Sequence, residues 1–138
     1  MKPEKFRKIC KKYFIDPNFT IEVHIDEPND VIAISVFYCG YGILRYFGKN
    51  KDYTKEKPSI LLADKFKYSE DCGRILPCKN DGSFIGLWLD YTKLYNVGHN
   101  QLIKIILDII EKIKIAKVAY KKQLIEKDFV WKLNFSFL

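Results

Sequence analysis

The sequence is poor in the residues that build metal and nucleotide sites. Its 138 residues include two histidines, His24 and His99, and four cysteines that form no Cys-x-x-Cys pair. A zinc site needs several such ligands at regular spacing, and this spacing fits none of the usual zinc patterns. The chain also carries no phosphate-binding or nucleotide-binding motif. We therefore expect no metal and no cofactor.

Long apolar runs and secretory features are also lacking. The longest apolar run, Val31–Leu44, is too short for a membrane span and is interrupted by polar residues and glycines. The first residues form a basic amphipathic segment instead of an apolar leader. We expect a cytoplasmic protein with no membrane partner. Its cysteines are expected to be free thiols, and a local disulfide between Cys72 and Cys78 is the alternative. The four cysteines are Cys10, Cys39, Cys72 and Cys78.

Arginine is scarce although the chain is basic. The formal charge is +7, and lysines outnumber arginines by 21 to 3. Arginine is the residue that nucleic-acid readers prefer for bidentate contacts with bases and phosphates. Nucleic-acid binding is therefore not favoured, although a basic component of a nucleic-acid assembly stays an alternative. The lysines could equally form an ordinary solvated face.

The positive charge is concentrated at two places. Residues 1–13 carry six basic residues and one acidic residue, and residues 99–127 carry seven lysines against three acidic residues. The segment between them, residues 14–48, has a net charge of −4. This uneven distribution suits nucleic acid or an acidic protein partner. With 48% hydrophobic residues, the chain can form a real core, and its length fits one domain over residues 1–138.

Hydrophobic periodicity predicts a helix and then a sheet in the first half of the chain. Apolar residues at helical spacing predict a helix over Pro3–Phe14, with its lysines on the other side. Ile21, Val23 and Ile25 alternate with polar residues, which predicts a half-buried strand with His24 on its wet face. The four predicted strands are Thr20–Asp26, Val31–Tyr38, Ile43–Phe47 and Ser59–Phe66.

The second half is predicted to be irregular and then helical. Residues 67–79 read as mostly irregular, and Asn80-Asp81-Gly82 is a tight-turn signal before the short apolar segment Phe84–Leu89. A wide Leu/Ile stripe predicts a long helix with Asn100 as its N-cap, and the tail Phe129–Leu138 should dock as a strand or short helix. The predicted class is α+β: an N-terminal helix, an antiparallel four-stranded meander, an irregular loop and a long C-terminal helix packed on the sheet.

Two stretches of the sequence resemble motifs of a known protein family. Tyr53-Thr54-Lys55-Glu56-Lys57-Pro58 precedes the fourth predicted strand, and Pro77, Asn80, Gly82 and Ile85-Gly86-Leu87 follow that strand. Together with the element order, they resemble the ubiquitin-conjugating enzyme family over roughly residues 3–115. In that family a Tyr-Pro-x-x-Pro-Pro element precedes the fourth strand. A His-Pro-Asn turn and a segment with the catalytic cysteine come after it.

The departures from that pattern imply a catalytically inactive variant. Leu76 stands at the histidine position, and Ile85 or Gly86 stands where the family has its cysteine, so no thioester could form there. The resemblance implies a non-catalytic protein-interaction module with a ubiquitin-like or acidic protein partner. The predicted contact residues are Lys5, Lys8, Lys11 and Lys12 on the first helix and Pro77, Asn80, Gly82 and Trp88 in the later loop.

An enzyme is the alternative, with Cys78 as a nucleophile that carries an acyl group. The sequence places Cys78 in an exposed-looking polar turn, and the neighbouring Lys79 could lower the pKa of its thiol. Such a nucleophile usually needs a base, which only His99 could supply through the fold. Trp88 is expected in the core, and an exposed Trp88 would instead mark a binding patch.

Overall fold

The computed structural model describes residues 1–52, 56–79, 81–85 and 88–136, with the backbone alone for residues 89 and 133–136. The described residues form two α-helices, α1 at Pro3–Tyr13 and α2 at His99–Ser136. A short 3-10 turn lies at Trp88–Asp90. The strands are β1 Phe19–Asp26, β2 Val31–Tyr38, β3 Tyr41–Lys49, β4 Ser59–Leu62, β5 Lys65–Ser69, β6 Arg74–Cys78 and β7 Thr92–Tyr95.

The predicted α+β class is confirmed. The strands β1, β2, β3 and β4 form an antiparallel meander, and β7 adds a fifth antiparallel strand beside β4. The strands β5 and β6 form a separate antiparallel hairpin. The helices α1 and α2 contact each other and cover one face of the meander. The core lies between the helices and the sheet.

The helix α1 forms as its sequence pattern predicts. Pro3 occupies the first turn, where its missing N–H costs nothing. Phe6, Ile9 and Cys10 face the core, and the Phe6 ring lies 5.3 Å from that of Tyr46 on β3. The lysines on the opposite side are exposed.

The helix α2 is longer than predicted. It begins at His99, and the Leu102 N–H donates a hydrogen bond to the Gly98 carbonyl at 2.9 Å. At its other end, the expected docked strand or short helix over residues 129–138 was wrong, because the helix continues to Ser136. Residues 99–138 contain neither glycine nor proline, so the sequence gives no signal that would end the helix earlier.

The strand β1 is more exposed than its alternating pattern predicted. Val23 and Ile25 are exposed instead of half-buried, whereas Ile21 packs against the core. The helix α1 packs on β2 and β3, so the end of β1 near Asp26 lies beyond its cover. His24 is exposed on the outer side of the strand, as predicted.

The predicted fourth strand and the irregular loop after it have a different structure. The strand β4 ends early, and the β5–β6 hairpin follows it. Residues 59–66 divide between β4 and β5, which belong to different sheets. Residues 67–79, predicted to be mostly irregular, complete β5 and form β6. Gly73 marks the turn of this hairpin with a φ of +66°, a conformation that glycine adopts without strain. Pro77 lies within β6, opposite Phe66 of β5, so the hairpin is regular on both sides of this turn.

The short apolar segment at residues 84–89 contributes a β-bridge and the start of a turn. Phe84 makes an isolated antiparallel bridge to Cys78, and Trp88–Asp90 turns instead of continuing that pairing. The strand that the sequence analysis missed is β7, which pairs residue by residue with β4 from Thr92 to Tyr95.

Candidate interaction surface

Cys78 is buried, contrary to the prediction of an exposed thiol. It ends β6 with 6% of its surface exposed. Burial raises the pKa of the Cys78 thiol, and the nearby charges of Lys65 and Lys67 only partly oppose this effect. A raised pKa lowers the fraction of reactive thiolate at neutral pH. The position of Cys78 therefore suits a packing role.

The predicted tight turn is present next to Cys78. The Lys79 N–H donates to the Ser83 carbonyl at 2.7 Å, and the Gly82 N–H donates to the Lys79 carbonyl at 3.0 Å. The Asp81 carboxylate accepts hydrogen bonds from the Ser83 N–H and hydroxyl at 2.9 and 2.6 Å, which lower the pKa of Asp81. Gly82 adopts a φ of +89°. This hydrogen bonding explains Asp81 by turn geometry alone.

The other predicted loop residues have different surroundings. Pro77 is fully buried inside β6, so its ring contributes to packing and not to the surface. Asn80 and Gly86 lie outside the described residues, as does Tyr53 of the proposed family element. Leu76, next to Pro77 in β6, is also buried.

Trp88 is half-buried against the meander instead of lying in the main core. Its ring sits over Gly42, where an added Cβ would come within 2.5 Å of the indole. The ring of Tyr91 lies 4.5 Å from the indole, and the Arg45 guanidinium lies 5.1 Å from it. Phe37 completes this cluster at 6.4 Å. Because these contacts occupy much of the indole, Trp88 holds the turn against the sheet.

The two predicted contact surfaces lie on opposite faces of the meander. Ile34 and Tyr46 point to the helix-covered core, whereas Phe37 and Arg45 point to the side that Trp88 covers, as strand alternation requires. The structure therefore does not bring the α1 lysines and the Trp88 turn onto one surface. The four α1 lysines are exposed and form no ion pair with a described residue: Lys5, Lys8, Lys11 and Lys12.

One side of α2 contacts the rest of the domain along most of the helix. Ile106 and Ile113 are buried against the sheet, and Tyr120, seven residues further on, stacks on Tyr68 of β5 with ring centroids 3.5 Å apart. After another seven residues, the Lys127 ammonium lies 3.2 Å from the Glu70 carboxylate. Seven-residue steps return a helix to nearly the same side. This side of α2 therefore faces the domain.

A second apolar stripe on α2, not predicted from the sequence, leaves its large side chains exposed, although its first residue, Ile115, also lines a cavity beside the β5–β6 hairpin. Its residues follow one another at alternating steps of three and four and are Ile115, Val118, Lys122, Ile125 and Phe129, here called the outer seam. Ile125 is 69% exposed and Phe129 is 61% exposed. The many lysines of this part of α2 suggest a solvated face, but the apolar residues between them repeat at regular steps.

The outer seam lies within a strongly basic part of the helix. Residues 111–132 contain seven lysines and three acidic residues, for a net charge of +4. Lys122 stands in the middle of the seam, and Lys114 and Lys121 flank it. Long lysine stems can cover apolar surface while the ammonium stays in water. The seam therefore combines apolar contact area with positive charge.

No protein-family model, curated protein or solved structure matches this chain. Among the described residues, no three His, Cys, Asp or Glu side chains are grouped as metal ligands. Within the same part of the chain, neither helix has an apolar stretch long enough to cross a bilayer.

Proposed function

We propose that the protein is a non-catalytic protein-interaction module on a scaffold resembling that of ubiquitin-conjugating enzymes. The observation that carries this proposal is the outer seam. It exposes large apolar side chains along a helix whose other side is already used by the domain. Contiguous exposed apolar surface on a soluble domain marks a site of association. A helix face with anchors at steps of three and four suits a second helix as its occupant.

The charge around the seam favours an acidic amphipathic helix of another protein as that occupant. Two copies of this chain would bring two segments of net charge +4 together and place Lys122 against a like charge. An acidic helix would instead pair its carboxylates with Lys114 and Lys121 while its apolar residues cover Ile125 and Phe129. The exposed lysines of α1 add to the positive potential that would attract such a partner.

The scaffold part of the proposal rests on element order and on the quoted residues. An N-terminal helix, a four-stranded meander and a long C-terminal helix occur in the expected order. The buried side chain of Leu76 and the half-buried side chain of Ile85 can neither form a thioester nor accept a proton. These two positions support the non-catalytic part of the proposal.

Photo-crosslinking from the outer seam tests the proposal. In the full chain, p-benzoylphenylalanine replaces Phe129, and a control chain carries it in place of the exposed Lys51 in the loop after β3. We expect a protein adduct from position 129 in an extract of the source cells, with the crosslinked peptide lying in an acidic amphipathic segment. The adduct should weaken with added salt and disappear on Ile125→Glu.

Three results would contradict the proposed partner. Equal adducts from positions 129 and 51 would mean that the seam is not selective. An adduct between two copies of this chain would replace the acidic partner with a second copy. An adduct that nuclease removes would mean that the outer seam binds nucleic acid. Its affinity for nucleic acid would then fall steeply with salt.

Cysteine labelling separates this function from the thiol-enzyme alternative. Because Cys72 is exposed and Cys78 is buried with a raised pKa, iodoacetamide should modify Cys72 first at neutral pH. Cys10, whose pKa burial raises to about 12, should also react slowly. Peptide mass spectrometry gives the order of modification. Fast labelling of Cys78, or an adduct with an activated ubiquitin-like protein that Cys78→Ser removes, would restore the enzyme hypothesis.

A further inference from the structure

A cavity of about 450 Å³ lies between the β5–β6 hairpin and α2. Its apolar lining comes from both elements and consists of Phe66, Ile115, Ala116 and Ala119, with Cys78 in the wall. Four lysines also line it: Lys65, Lys67, Lys79 and Lys112. Ligand sites are commonly concave and mostly apolar, with a few polar groups that fix orientation. This cavity has that composition, and its polar groups carry mainly one sign of charge.

Two of the cavity lysines have their charge available for a ligand. Lys79 lies 3.4 Å from the Asp90 carboxylate, and Lys112 lies 2.9 Å from that of Asp108. In contrast, Lys65 and Lys67 form no ion pair with a described residue. They lie two residues apart on β5, so their side chains share one side of the strand, and that of Phe66 between them points to the other side.

One acidic residue, Asp64, lines the cavity against four lysines. The Asp64 carboxylate accepts a hydrogen bond from the Thr92 hydroxyl, which ties it to β7. Asp64 also lines the neighbouring polar cavity, together with Asp81 and Asp90. Asp81 and Asp90 line the polar cavity and not the apolar one, whereas the two cavities share Asp64, Cys78 and Lys79. The apolar cavity keeps a surplus of positive charge.

We propose that this cavity binds a small amphiphilic anion, with an apolar tail on the lining and a carboxylate or similar group at Lys65 and Lys67. The tail would be removed from water by Ile115, Ala116 and Ala119 of α2, and the anionic group would meet the ammonium groups of Lys65 and Lys67 at the rim. A cationic amphiphile of the same length would meet the same lining but a repulsive rim. This site is independent of the proposed protein partner, although Ile115 belongs to both the cavity and the outer seam.

Displacement of a fluorescent anion tests the proposal on the full chain. The probe is 1-anilinonaphthalene-8-sulfonate, and the competitors are octanoate and octyltrimethylammonium, which share an apolar chain and differ in charge. We expect octanoate to displace the probe and the cation to displace it far less well. The double variant Lys65→Gln/Lys67→Gln should bind octanoate about tenfold more weakly, and the matched Lys65→Arg/Lys67→Arg variant should retain binding.

Two further variants locate the bound anion. Ala119→Phe should fill the cavity from α2 and abolish octanoate binding, while circular dichroism shows that the fold is kept. Ile125→Glu removes an apolar residue of the outer seam and should leave octanoate binding unchanged. If Ile125→Glu weakens binding and the double glutamine variant does not, the anion sits on the seam and the proposal is wrong. Equal displacement by the two octyl compounds would also overturn it.

Discussion

The two halves of α2 use apolar residues in opposite ways. Over its first half the helix buries Leu102, Ile106 and Ile109 completely against the sheet. Over its second half the helix keeps a comparable density of apolar residues but leaves Ile125 and Phe129 mostly exposed. The whole helix has 38 residues, and at 1.5 Å per residue it is ~57 Å long, well beyond the length that the sheet can cover.

This difference shows that an apolar helix stripe does not by itself predict a core. The stripe on the first half meets a sheet face of matching apolar side chains, and burial of each side chain contributes about 1.5–3 kcal/mol. The stripe on the second half points away from that sheet, so its apolar side chains contribute little to the fold. Partner binding would give these side chains the same kind of burial.

The strongest test of this comparison uses one substitution in each half. Ile106→Ala should lower the free energy of unfolding by about 2–5 kcal/mol, because it leaves a cavity in a closely packed core. The matched Ile125→Ala should change it by less than about 0.5 kcal/mol, because the side chain is exposed. Urea unfolding followed by circular dichroism measures both values. Similar losses for the two variants would mean that the second half is also packed.

The sequence correctly predicted the elements in which apolar residues recur at regular spacing. The helix α1 and the meander strands have apolar residues at helical or alternating spacing, and their local signals agree with their final contacts. The predictions were wrong where contacts between distant segments decide the structure. The exposure of Val23 depends on where α1 ends on the sheet, and β7 is a strand because it meets β4.

The candidate site was harder to predict than the fold. Cys78 was expected to be exposed because Lys79 and the following turn are polar, yet the thiol is buried at the end of β6. The outer seam could have been found from sequence, because its steps of three and four are regular. The lysines among its apolar residues concealed it. Only the structure shows that the residues facing the domain lie on the other side of α2.

A smaller effect is expected at the boundary between the two halves. Tyr120→Leu removes the stack on Tyr68 and should lower the stability of the outer half by about 0.5–1.5 kcal/mol. The control Tyr120→Phe keeps the ring and should retain most of this stability. Hydrogen exchange of the amides in residues 117–132 measures the local effect. Unchanged exchange in the leucine variant would show that the stack does not hold the outer half in place.

The smallest effect is expected at the ion pair between Lys127 and Glu70. Both side chains are mostly exposed, so Lys127→Gln should cost at most about 1 kcal/mol and less at high salt. A double-mutant cycle with Glu70→Gln isolates the coupling between the two residues. A coupling well above this range would show that the outer half of α2 is bound to the hairpin as firmly as the first half is bound to the sheet.

The pairing of β7 with β4 has a consequence for the order of folding. The strands β1, β2, β3 and β4 meet their neighbours through local connections, whereas β7 reaches β4 only after residues 63–91. Closing that long loop costs entropy before its contacts form, so we expect the meander to supply the folding nucleus and β7 to dock late. Pulse-labelling hydrogen exchange should then protect the Ile34 amide before that of Leu94. Until β7 docks, β4 is an unpaired edge, and misfolding during synthesis would begin there.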